Sequence, residues 1–272
     1  MRSWKIPPDN ANIAKYVDCY WLLEKTQSDS GPEYPKLNPD PAAHLILSEP
    51  EQYYQYEHNA MSVTGHGSHL ILPHCKTILM DHSRPFLVIG VKFQVGALYS
   101  LSLPIDQARL DQVISIDTKK LFKSEIDILT QPIDQPEALR NILDKFLMPC
   151  LLKIYEDKHS NLIYNALPIL ASTPISEVGA ALGCSQRTIE RSFSRVTGLT
   201  LKQYQSMNRL EIMLNHLYEL EGKNINWGDF AAKFGFSDQS HLIRYLKTNI
   251  GDTPGNYIRQ RDLAIDAYGN FE

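Results

Sequence analysis

The sequence predicts an α+β protein of two domains, an N-terminal β-rich domain followed by an all-helical one. Three observations carry this expectation. The chain has 272 residues, 43% of them apolar, which is enough for two packed cores and excludes a disordered chain. Before about residue 97, short runs rich in β-branched and aromatic residues are separated by Pro, Gly, Asn and Asp, whereas from Asn161 onward apolar residues recur at helical intervals. Finally, the helical part contains an internal repeat.

Along the chain, strands are expected at Val17 to Leu23, Ala43 to Leu47, Leu70 to Leu72, Ile78 to Met80 and Phe86 to Phe93, a spacing that favours a sandwich or barrel. Helical periodicity begins at Ala97 to Leu103 and continues at Ser124 to Leu129 and Glu137 to Leu147, the last behind Pro136, a good first-turn residue. The polar stretch Tyr155 to His159 reads as the junction, giving domains at 1–158 and 159–272.

Charge excludes some functions and localises others. Lys and Arg total 27 against 31 Asp and Glu, a net charge of −4, so no global basic field serves a polyanion. The excess of acid lies before Asn161; after it the balance is neutral, with two basic clusters, Arg187, Arg191, Arg195, Lys202 and Arg209, and Lys233, Arg244, Lys247, Arg259 and Arg261. Cys19, Cys75, Cys150 and Cys184 are scattered without a CxxC pair, which suits reduced thiols better than disulfides or a zinc knuckle. The opening MRSWKIPPDN lacks an apolar targeting core and the apolar runs are too short to span a bilayer, so the expectation is a cytoplasmic protein without a membrane partner.

The two basic clusters lie in segments related by a period. Val178, Ala180, Leu182, Gly183 and Ser185 recur fifty-two residues later as Phe230, Ala232, Phe234, Gly235 and Ser237. After a one-residue insertion, Ile189, Arg191, Phe193, Gly198, Thr200 and Tyr204 recur as Leu242, Arg244, Leu246, Gly251, Thr253 and Tyr257. Each copy reads helix, Gly turn, helix, with two helix-turn-helix units at about 175–196 and 227–250. Gly183 tolerates the positive φ of the turn, and Ser185 and Ser237 are expected to cap the second helices. Those helices are two-faced. Ile189, Phe193 and Val196 point inward and Arg187, Glu190, Arg191 and Ser194 outward; Leu242, Leu246 and Ile250 point inward and Ser240, Ile243, Arg244 and Lys247 outward.

Two segments carry a family resemblance, GCSQRTIERSFSRVTGLTLKQYQSMNRL and, more tellingly, GFSDQSHLIRYLKTNIGDTPGNYIRQRDL with its Gly-Phe-Ser start, Thr-Pro and final Tyr-x-x-x-Arg. They resemble the DNA-binding domain of the AraC/XylS family of bacterial transcription regulators. Cys184 for an aromatic, Leu201 for a proline and Leu246 for a Phe are departures at core or turn positions. The resemblance implies two helix-turn-helix units joined by a long helix, here Leu201 to Leu220, presenting two recognition helices to major-groove segments about 34 to 36 Å apart. It implies double-stranded promoter DNA as partner, nucleoid association, contact with RNA polymerase, an outcome that is commonly activation, and a first domain, often a cupin-like barrel, that senses a small effector or dimerises.

On that basis Arg187, Glu190, Arg191, Gln239, Ser240, Ile243 and Arg244 are candidates for base contact. Arg pairs bidentately with guanine, Gln with adenine, Glu accepts from cytosine, and Ile243 suits a thymine methyl. Ser185, Arg195, Lys202, Lys233, Ser237 and Lys247 are candidate phosphate contacts, setting register and salt dependence. The competing reading of each is a solvated or capping residue. In the first domain Trp21, His44, Tyr54, Lys92 and Phe93 are candidate effector-pocket residues against the plainer reading of core. His44, His66, His69, His74 and His82 invite a metal, but the spacing of metal-binding cupins is absent, so neither a metal nor another cofactor is expected. The helices from Ala97 to Ile154 are candidates for a dimer interface. A regulator without a small ligand, controlled by abundance or a protein partner, is the main alternative. An enzyme carrying the same DNA-binding module is a weaker one, since the chain offers neither a cysteine cluster for alkyl transfer nor a GxSxG elbow.

Overall fold

A computed structural model describes residues 1–58, 61–101, 110–122, 128–131, 133–151, 153–170, 172–220 and 225–260. The N-terminal elements are β1 (Arg2–Ile6), α1 (Ala11–Ala14), β2 (Val17–Lys25), β3 (Lys36–Leu37), β4 (His44–Leu47), β5 (Tyr53–His58), β6 (Met61–His66), β7 (His69–Ile71), β8 (Ile78–Met80), β9 (Phe86–Phe93), α2 (Ala97–Leu101), β10 (Val113–Ser115), α3 (Thr118–Phe122) and α4 (Pro136–Leu151). Among the described residues the strands make two antiparallel sheets, ordered β1-β2-β9-β4-β7-β10 and β3-β8-β5-β6. The domain is thus β-rich with helices added, in the layered form of a sandwich.

The larger sheet is buried on both faces, so β2, β4 and β9 read as nearly continuous apolar runs with little alternation. One face puts Trp21, Leu23, Ile46, Ile71 and Val88 against Leu37, Ile78, Met80, Tyr54 and Tyr56 of the smaller sheet. The other puts Tyr20, Leu22, Leu45, Val91 and Phe93 under Ile13 of α1, Leu98 of α2 and Leu139, Leu143 and Phe146 of α4. Asp144 of α4 is buried and fixes that layer, accepting from the Tyr20 hydroxyl at 2.6 Å and from the Asn10 amide at 3.3 Å.

The C-terminal elements are α5 (Lys158–Leu170), α6 (Ile175–Ala181), α7 (Gln186–Thr197), α8 (Leu201–Glu219), α9 (Trp227–Lys233), α10 (Gln239–Ile250) and α11 (Pro254–Gln260). The long α8 serves both helix-turn-helix units. Its first half contributes Leu201, Tyr204 and Met207 to the core around α5, α6 and α7; its second half contributes Leu210, Met213, Leu214 and Leu217 to the core around α9 and α10. Among the described residues no helix is long and apolar enough to cross a membrane.

Several boundaries differ from expectation. The helix at Pro136 runs on to Leu151, and α5 starts at Lys158 because Asp157 caps it, accepting from the amides of His159 at 2.8 Å and Ser160 at 2.9 Å. Strands β1, β3, β5, β6 and β10 add to the expected set. Residues 102 and 103, most of the helix expected at Ser124 to Leu129, and Arg261 and Leu263 lie outside the described residues, while Ile128 and Leu129 stand in a turn.

Candidate nucleic-acid interface

The two copies superpose in sequence on the same local structure. Helices α6 and α9 begin fifty-two residues apart and α7 and α10 fifty-three, the second pair being 12 residues long in each copy. The turn glycines Gly183 and Gly235 have φ of +66° and +70°, a left-handed conformation that costs a residue with a Cβ. The extra residue of the second copy lies in its turn, and it moves the cap. Ser185 accepts from the Thr188 amide at 3.1 Å and caps α7 as expected, but α10 is capped by Asp238, which accepts from the His241 amide at 2.8 Å. Ser237, expected to hold that place, instead donates to Asp238 at 3.2 Å. Backbone bonds to the Asp238 carboxylate, from His241 first, hold its pKa below the usual range.

Both outer faces are open to solvent. Arg187, Glu190 and Arg191 on α7 and Gln239, Ser240 and Arg244 on α10 are exposed, and Ile243 is half-exposed outside the apolar set packed on the second core. Glu190 accepts from Gln186 at 2.9 Å, which turns its carboxylate along the helix toward the N-terminal turn. These side chains offer guanidinium forks, an amide, a hydroxyl and a branched alkyl group on the outer faces of α7 and α10, the kinds of group that read base edges.

The six phosphate candidates divide. Lys202 and Lys247 are exposed. Ser185 is occupied as a cap, and Lys233 donates to His216 Nε2 at 2.8 Å while His216 donates through Nδ1 to Glu219 at 2.7 Å. Arg195 is turned to the N-terminal domain, donating from Nε to the Tyr99 hydroxyl at 3.0 Å, and Tyr99 donates to Asp157 at 2.8 Å. Sequence reading alone had no way to find Tyr99, because its partner lies on another domain. Arg209 likewise has a structural place, donating to the Phe234 carbonyl and lying 4.0 Å from the Phe236 ring centroid, so that α8 grips the second turn.

The N-terminal domain touches both units. Thr77 donates to the Asn249 carbonyl at 2.9 Å, Asn38 to the Tyr257 hydroxyl at 3.2 Å, and Lys36 pairs with Asp252 at 3.4 Å. On the first unit, Val95 and Tyr99 pack against the core that holds Phe193 and Val196.

The candidate effector residues do not line one cavity. Trp21 and Tyr54 belong to the core between the sheets, Phe93 to the core on the opposite face of the larger sheet. His44 and Lys92 are cross-strand neighbours, and each reaches Asp40 Oδ2 at 3.0 Å. Burial works against the Lys92 ammonium, yet Asp40 and, from α8, Glu211 hold its pKa above the usual value, so its anionic partner is internal. The other histidines are similarly engaged: His69 with the Tyr56 hydroxyl at 2.6 Å, His74 with the Asn38 carbonyl at 2.8 Å, and His82 and His66 against the rings of Phe86 and Tyr53. Among the described residues no group of three or more His, Cys, Asp or Glu is arranged to hold a metal.

Residues 178–260 match a family described as a helix-turn-helix domain, and residues 5–112 one described as a domain of unknown function, DUF6597. An uncharacterized HTH-type transcriptional regulator of Escherichia coli, YidL, is 22% identical over 218 residues, 75% of this chain and 71% of that protein. The HTH-type transcriptional regulator RipA of Corynebacterium diphtheriae is 29% identical over 93 residues, 34% of this chain and 27% of that protein. Among solved structures, ToxT of Vibrio cholerae has a TM-score of 0.49 at 10% identity, covering 88% of this chain and 98% of its own.

Proposed function

We propose, from the premise that residues 178–260 are a helix-turn-helix domain of the AraC type, that this chain is a sequence-specific DNA-binding transcription regulator reading two successive major-groove segments. One observation carries the reading: two helices of equal length, each preceded by a left-handed Gly turn and capped at its N-terminus, leave matching polar faces exposed on one domain. Arg187, Glu190 and Arg191 take the base edges of one segment and Gln239, Ser240, Ile243 and Arg244 those of the next. Lys202 and Lys247 contact phosphates at once; Arg195 and Lys233 do so on leaving Tyr99 and His216, and Ser185 and Ser237 lie where helix amides approach the backbone.

The same reading divides the chain into a regulatory part, 1–158, and a DNA-binding part, 159–272. The first part modulates the second through a small effector or dimerisation, with the helices from Ala97 to Ile154 as the dimer face. The output is activation through RNA polymerase, in the cytoplasm at the nucleoid. The relatives, named as transcriptional regulators, support a regulator over an enzyme. Three of the four thiols support it too, since burial pushes Cys19 up to about 12 and Cys75 and Cys150 up to about 11, against nucleophilic use.

Selection of bound duplexes from a random library by the full chain at fixed salt tests this. Recovery of two boxes one helical turn apart is the expected result; no enrichment at any salt overturns it.

A further inference from the structure

We propose that the cleft between the end of α1, the β9–α2 turn and α5 is a binding site for an organic ammonium ion, whose place the Lys15 ammonium now occupies. The cleft measures about 400 Å³, in the range of small-molecule sites. Lys15 Nζ lies 5.5 Å from the ring centroid of Tyr16 and 5.3 Å from that of Tyr164, and it forms an ion pair with Glu156. The Tyr16 hydroxyl donates to the same Glu156 oxygen, fixing the carboxylate. Two aromatic rings and one oriented carboxylate around a cation are the elements of an ammonium cage.

Tyr164 is 54% exposed, so its ring is accessible from solvent, and it completes the cage from α5. The Lys15 side chain is 34% exposed on a flexible stem, so it can swing into water and yield its place without disturbing the backbone. Beyond the ammonium position Ile163, Leu167 and Val196 line the cleft, which gives room for a short apolar body on the ligand. Val196 belongs to α7 and Gly96 to the N-terminal domain, so an occupant touches both partners of that packing. The effect on DNA binding rests on the proposed function above; the binding itself does not.

The test uses the full chain, with tetramethylammonium as the probe, sodium as the salt control and calorimetry as the readout. Lys15→Met empties the cage and keeps the stem, and is expected to bind the probe about tenfold tighter than the wild type, with Tyr164→Ala in the same background removing the gain. Thermal stabilisation of the wild type at high probe concentration, lost in Tyr164→Ala alone, gives an independent reading that does not depend on the folding of Lys15→Met. Absence of probe binding in folded Lys15→Met overturns the proposal. So does the opposite pattern, in which acetate binds the wild type and Lys15→Met abolishes it, since the cleft then serves an anion. Selection of DNA by the wild type without probe tests the proposed function separately.

Discussion

The Arg195 guanidinium, at the last turn of α7, is held by the hydroxyl of Tyr99 on the other domain at 3.0 Å, and that hydroxyl is itself oriented by Asp157. A cation beside the exposed polar face of α7 is thereby committed to the N-terminal domain. Tyr99→Phe removes the acceptor while keeping the ring. Each phosphate contact contributes about 0.9 to the slope of log affinity against log salt. Tyr99→Phe is therefore expected to steepen that slope by about 0.9 in anisotropy titrations, and Arg195→Ala in the same background to restore it. An unchanged slope would place Arg195 off the DNA in both states.

On α10 the two cations at i and i+3 are expected to behave differently. Arg244→Ala should cost about 1 to 3 kcal/mol on the preferred site and relax selection at one base position. Lys247→Ala should weaken every sequence alike and flatten the salt slope by about 0.9. Binding measured on the selected site and on its single-base variants separates these outcomes. Identical behaviour of the two variants would mean that α10 lies along the backbone and not in the groove.

The displaced cap gives a stability test. Ser185→Ala should cost about 1 kcal/mol, because the Thr188 amide loses its acceptor. In the second unit the sensitive position is Asp238, so Asp238→Ala should lower the melting temperature and Ser237→Ala should leave it nearly unchanged. Thermal unfolding followed by circular dichroism decides it; a larger loss in Ser237→Ala would restore that serine as the cap.

These cases show how far the residues themselves led. Gly183, Gly198 and Ser185 act locally, through φ or an amide three residues on, and local rules recovered both helix-turn-helix units, while the long α8 was expected from the family resemblance. Ile78 to Met80 and Phe86 to Phe93 were legible because buried strands are apolar runs. By contrast β3, at Lys36–Leu37, is a two-residue edge strand defined by its pairing with β8, and nothing in its composition announces it. Asp40, which pairs with Lys92, and Tyr99, which holds Arg195, depend on long-range packing. The cap moved from Ser237 to Asp238 because a one-residue insertion can fall on either side of a serine, and only the backbone path tells which.

The buried histidines set an acid limit on stability. Burial pushes His69, His74 and His82 down from an ordinary value of 6.5 to about 4. Between these values the unfolded chain binds more protons than the folded one, so stability is expected to be full above pH 6.5 and to fall as pH drops toward 4. Urea midpoints across that range measure the loss. His69→Gln should make the dependence shallower by the share of one proton; an unaltered slope would mean that His69 is protonated in the fold.

The contact between the domains can be probed from the side of the β9–α2 turn. Gly96 has a φ of +80°, and a Cβ built there would stand 2.8 Å from Val196 Cγ1 and 3.6 Å from Thr197 Cγ2, both on α7. Gly96→Ala therefore meets two obstacles at once, a backbone conformation unfavourable to alanine and a methyl group inside the neighbouring helix's contact distance. The backbone term strains the turn alone, whereas the steric term pushes α7 away from the N-terminal domain. Val196→Ala in the same chain removes the methyl and leaves the φ unaltered. If the steric term dominates, Gly96→Ala should speed amide exchange in both the turn and α7, and the double variant should return α7 to the protection of Val196→Ala alone. If exchange rises only in residues 94–98 and Val196→Ala gives no relief, the turn carries the strain by itself and the packing of the domains does not depend on this contact.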